Sequence, residues 1–156
     1  MIITEVEKLI GYYTDSNKKI TISKNIFSSD NGRKIYNNII NKNICKNCFG
    51  IYVWVNSLTS EIVYIGMAGK IKTDGSIGDH SLRKRLKASR GKNKETRKDI
   101  LTNDFIKNFM LKNNIDNLDF YIYYTKSDEA PSYLEAILIY KYFKHHKKLP
   151  VLNISF

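Results

Sequence analysis

Two short apolar runs divided by a polar turn constrain this chain more than any other feature. Phe49 to Val55 is β-branched or aromatic almost throughout. Glu61 to Ile65 repeats that character, and Asn56 to Ser60 between them has turn composition. The pattern predicts a β-hairpin. One strand opens with Gly50-Ile51-Tyr52 and the other closes with Tyr64-Ile65-Gly66. A hairpin built only for a core explains the valines and isoleucines. It does not explain two tyrosines, each close to a glycine that lets other groups approach the backbone.

Around the hairpin the periodicity is mostly helical. Thr4 to Tyr13 and Arg33 to Ile44 have helical spacing, and Lys19 to Ile26 alternates weakly, as a strand would. After Gly66 a long loop runs to Asp79. Ser81 or Asp79 can cap a short basic helix that ends at Gly91. Thr102 to Asn113 is a stronger amphipathic helix, Leu118 to Thr125 a third strand, and Ser127-Asp128 with Pro131 starts a last helix that runs to about His146. Pro150 ends it, before the closing segment Val151-Leu152-Asn153-Ile154.

At 156 residues and 42% hydrophobic, the chain suffices for one domain with a real core. No apolar run approaches the ~20 residues of a membrane span. The N-terminus, with Glu5 and Glu7, has no signal-peptide pattern, so a cytoplasmic protein is expected. Cys45 and Cys48 are too few for a disulfide scaffold. Their spacing is that of half a zinc site, with His80, His145 and His146 as distant candidates for the other half. The simpler expectation is two small, reduced residues leading into the first strand.

The net charge of +11 is concentrated. Residues 67–112 hold 13 basic and 5 acidic residues, whereas residues 113–156 hold 5 of each. A local basic field beside a hairpin of this kind points to a polyanion, most simply nucleic acid; a solvated lysine-rich face is the plain alternative. In the last helix, Glu135 is followed one turn on by Leu138 and Ile139. A carboxylate on a largely apolar face needs a partner, either an arginine or a metal ion.

Taken together, Gly50-Ile51-Tyr52, Tyr64-Ile65-Gly66, Leu82-Arg83-Lys84-Arg85-Leu86, Leu134-Glu135 with Leu138-Ile139, and Pro150 with Asn153 resemble the GIY-YIG endonucleases. The resemblance covers residues 49–156 and leaves 1–48 as an N-terminal extension of unassigned role. It implies an α+β fold with a small three-stranded antiparallel sheet flanked by helices. It also implies hydrolysis of phosphodiester bonds in double-stranded DNA with Mg²⁺ or Mn²⁺. A restriction endonuclease, a structure-selective or repair nuclease module, and a catalytically inactive nucleic-acid-binding protein are all compatible with it. So is a homodimer, and no membrane partner is expected.

By the same resemblance, Tyr52 activates or directs the attacking water and Tyr64 lies beside it. Arg85 contacts the scissile phosphate through its planar fork, Glu135 is the single metal ligand, and Asn153 supports the site together with Gly50 and Gly66. Lys70, Arg83, Lys84, Lys87 and Arg90 are the expected nucleic-acid contacts. On a helix, consecutive residues point about 100° apart, so Arg83 and Lys84 should lie farther round than Arg85. Two departures stand out. The family often has a histidine where this chain has Ser89, and the segment between Gly66 and Arg85 is longer by roughly ten residues. Lys70 or His80 could supply the missing group, and Lys70 is preferred because it lies close to the second tripeptide.

Overall fold

The computed structural model describes residues 1–78 and 80–154. Asp79, one of the two candidate helix caps, lies outside the described residues. The helices are α1 (Ile3–Ile10), α2 (Gly32–Asn43), α3 (Leu82–Arg85), α4 (Thr102–Lys112) and α5 (Pro131–His146). The strands are β1 (Thr14–Ser23), β2 (Gly50–Asn56), β3 (Ile62–Ala68), β4 (Lys70–Ile71), β5 (Ile77–Gly78), β6 (Ser89–Lys92), β7 (Asp99–Leu101) and β8 (Asn117–Thr125).

The central sheet is antiparallel, in the order β1-β8-β2-β3. The expectation of three strands is therefore corrected to four. The additional strand comes from the N-terminal extension: β1 pairs with β8 from Ser16 opposite Tyr124 to Ser23 opposite Asn117. Asp119 of β8 ties the two strands further, pairing with Lys19 at 2.8 Å and accepting from the Thr21 hydroxyl at 2.7 Å. Without β1, β8 would be an open edge, and unpaired edges invite association.

Alternation along β2 divides its side chains between two cores. Tyr52 and Trp54 face one side, where Tyr36 and Ile40 of α2, Leu82 and Leu86, and Ile106 and Met110 of α4 meet Phe120 and Ile122 of β8. Ile51, Val53 and Val55 face the other side, against Val6 and Ile10 of α1 and Leu134 and Leu138 of α5. The N-terminal 48 residues thus pack against both faces of the sheet. Trp54, the single tryptophan, lies at the centre, stacked on Phe120 at 4.9 Å between centroids.

The basic helix is shorter than its sequence suggests. One turn, α3, ends at Arg85, and the chain then enters β6, which pairs with β7. One turn is too short to be stable alone. Tertiary hydrogen bonds hold it: Leu82 N–H donates to Cys48 O at 2.9 Å, and the Tyr36 hydroxyl donates to Leu86 O at 2.8 Å. The Arg83 guanidinium donates through Nε and Nη2 to Ile44 O. Ser81 precedes the turn without a side-chain capping bond. Between α2 and β2, Cys45 and Cys48 form a disulfide. This corrects the expectation of reduced thiols, and sulfurs so bonded are not thiolate ligands for zinc. Among the described residues, no helix is long and apolar enough to cross a membrane.

Candidate active site

β3 is an edge strand, and the closing segment runs along its open side. Leu152 N–H donates to Val63 O at 2.9 Å. The Asn153 side chain takes both backbone groups of Ile65, accepting from the N–H at 3.0 Å and donating to the carbonyl at 2.8 Å. One step farther along the same edge, Met67 lies near enough to Glu135 of α5 for its backbone N–H to favour the carboxylate. The edge of β3 thereby aligns a residue from the closing segment with one from α5.

A cleft of about 510 Å³ opens over this edge. Tyr64 and Arg85 enter it from one side of the sheet, Glu135 and Ile139 from α5 on the other, and Asn153 from the edge between them. Residues distant in sequence thus meet in one place. Burial holds the Glu135 carboxyl above the usual carboxylate range, and the Arg85 charge and the Met67 N–H partly offset that rise. No ion pair among the described residues involves Glu135 or Arg85.

Tyr52 is placed differently from the role the resemblance implies. It is 0% exposed and does not line the cleft; its ring lies behind that of Tyr64, 5.7 Å away. Burial raises the pKa of its hydroxyl far above the ordinary tyrosine value, and Arg90 and Arg85 oppose that rise only in part. The pair of rings needs Gly66. A Cβ there would stand 2.5 Å from Tyr64 Cε1, 2.7 Å from Tyr52 Cζ and 2.8 Å from Tyr52 Oη. Gly50 is constrained by backbone instead: its φ is +149°, and a side chain would run into Tyr123 O.

Arg90 has a position that sequence reasoning missed. It lies on β6, not on a helix, and its guanidinium is centred 4.6 Å from the Tyr64 ring, 4.7 Å from Trp54 and 5.6 Å from Phe105. Nη2 reaches the Tyr52 hydroxyl at 3.5 Å. A cation over three aromatic faces is stabilised by their quadrupoles, and its charge is carried to the cleft wall beside both tyrosines. The order Trp54, Tyr64, Arg90, Phe105 in the sequence gives no local periodicity from which this could be read.

The other expected contacts separate into groups. Lys70 is exposed and lines a second, smaller cleft of about 180 Å³ together with His80 and Arg85. Arg85 thus borders both clefts. Arg83 is engaged with Ile44 O, and Lys87 donates to Asn41 Oδ1 at 2.7 Å, so both brace α2. Lys84 is exposed. Among the described residues no three His, Cys, Asp or Glu side chains stand together, so a metal ion here would have Glu135 as its carboxylate ligand. No protein-family model matches the chain, and no curated protein or solved structure matches it.

Proposed function

We propose that this protein is a divalent-metal-dependent endonuclease that hydrolyses phosphodiester bonds of double-stranded DNA in the Tyr64–Arg85–Glu135 cleft. The observation that carries the proposal is convergence. Tyr64, Arg85, Glu135 and Asn153 come from four separate segments, and all four line one cleft. A restriction enzyme acting in the cytoplasm is the form we favour.

Hydrolysis needs a water to attack phosphorus as the bond to the leaving oxygen breaks. Arg85 can bind two phosphate oxygens through its fork and neutralise charge that develops on them. Tyr64 is the tyrosine lining the cleft, and its hydroxyl can orient the attacking water. Tyr52, kept protonated by burial, supports Tyr64 and Arg90 from behind. Lys70, at the mouth of the adjoining cleft, is available to a neighbouring phosphate. Glu135 suits a hard ion such as Mg²⁺ or Mn²⁺, which takes few protein carboxylates and fills its remaining positions with water and phosphate oxygens. When bound, such an ion would supply Lewis acidity to the phosphate.

The test is incubation with supercoiled and linear duplex DNA in Mg²⁺ or Mn²⁺, with and without chelator, followed by mapping of the ends. Discrete fragments that disappear with chelator are expected. Cleavage confined to branched or damaged DNA would indicate a structure-selective or repair nuclease. Tight binding with no cleavage under either metal would indicate a binding protein that has lost catalysis.

A further inference from the structure

Neither core uses the ribbon formed by β6 and β7. Residues 91–99 are all exposed. They carry Lys92, Lys94, Arg97 and Lys98 against Glu95 and Asp99, and no ion pair among the described residues involves any of them. The tip is nevertheless a built turn. Asn93 N–H donates to Lys98 O and Arg97 N–H to Asn93 O, both at 2.9 Å. Asn93 Oδ1 accepts from the N–H groups of Glu95 and Thr96, also at 2.9 Å. At the base, Thr102 donates to Ala88 O through both its N–H, at 3.0 Å, and its hydroxyl, at 2.8 Å. Ser89 and Arg90 of the same ribbon line the catalytic cleft.

We infer that this ribbon is an arm that grips the phosphates of double-stranded DNA to one side of the cleaved bond. The inference rests on the nuclease function proposed above. A polyanion lying in the cleft must pass the point from which the ribbon springs. The excess of unpaired cations at the tip then faces its continuation, and a two-stranded ribbon is narrow enough to follow a groove of the duplex. β6 ends at Lys92, two residues or roughly 7 Å beyond Arg90 at ~3.3 Å per residue, and Lys94, Arg97 and Lys98 lie past it in the turn and its return. The contacts should therefore fall more than about two base-pair rises of ~3.4 Å from the cut.

The experiment compares the wild type with the triple variant Lys94→Ala/Arg97→Ala/Lys98→Ala. A control variant, Lys144→Ala/Lys147→Ala/Lys148→Ala, removes the same charge beyond Glu135 at the far end of α5. Affinity for a labelled 30-base-pair DNA duplex is measured in chelator at several salt concentrations, with Tm as the check on folding. Each lost phosphate contact removes about 0.9 from the slope of log affinity against log salt, so loss of two or three reduces it by about 2–3. If the variants converge near 1 M salt, the ribbon variant should bind roughly 50- to 500-fold more weakly at 0.1 M. The control should keep the wild-type slope. An unchanged slope in the ribbon variant, an equal drop in the control, or a loss seen with duplex RNA but not DNA would overturn the inference while leaving the nuclease proposal standing. A wild type that does not bind duplex DNA at all would overturn both.

Discussion

The side-chain amide of Asn153 closes both backbone groups of Ile65, one hydrogen bond in each direction. It does for the edge of β3 what a fifth strand would do, and it fixes the closing segment beside Glu135. Asn153→Ala leaves Ile65 unpaired and should cost about 1–3 kcal/mol. At this chain length that lowers Tm by roughly 2–12 °C. Hydrogen exchange at the Ile65 amide reads the bond directly: protection lost in the variant is expected, and unchanged protection would show that the edge is held by other means.

Arg90 joins the cleft wall to the aromatic centre. Arg90→Lys keeps the charge but loses the planar group that lies over Trp54 and Tyr64. We expect single-turnover cleavage to fall about a hundredfold or more, as for loss of a positioned charge in a catalytic site. DNA affinity should change little. Because Trp54 is the single tryptophan, its fluorescence reports the cage independently of activity, and an unaltered spectrum would mean that the guanidinium does not rest there.

Arg83 and Arg85 should separate cleanly. Arg83→Ala removes a guanidinium that holds Ile44 O and should lower stability by about 1–3 kcal/mol. Arg85→Lys should leave Tm near that of the wild type, because Arg85 is exposed at the cleft, and should strongly lower the cleavage rate. The reverse assignment, with Arg83 catalytic and Arg85 structural, would move the active site away from Tyr64.

Glu135 has a pH signature. Its folded-state pKa lies above the ordinary glutamate value because burial disfavours the charge. The folded state therefore holds the proton more tightly than the unfolded chain, and this contribution to stability is full below the unfolded pKa and lost as pH rises through the folded one. Glu135→Gln should match the wild type in Tm at about pH 4 and exceed it at pH 7. The same variant should not cleave DNA, because it cannot supply the carboxylate. Wild-type turnover by Glu135→Gln in Mg²⁺ would remove Glu135 from the site.

What local sequence determined is the set of elements whose own burial pattern reveals them. β2 and β3 are apolar enough to be recognised alone, α4 carries Ile106 and Met110 on a buried stripe, and α5 has Pro131 at its start and Leu134 and Leu138 facing the core. Tyr64, Arg85, Glu135 and Asn153, named from the sequence resemblance, line one cleft. Tertiary structure decided the rest. Of β1 only a weak alternation over Lys19 to Ile26 was legible, and not its place in the sheet, because its first six residues are polar and only Ile20 and Ile22 are buried. α3 stops after one turn because pairing with β7 competes with helix propagation beyond Leu86. Tyr52 and Tyr64 look alike in sequence, yet one is buried and the other faces the cleft. That difference follows from how the neighbouring elements cover the sheet, with Arg90 and Phe105 brought against it from β6 and α4. It is a matter of three-dimensional packing, which the local order of residues does not encode.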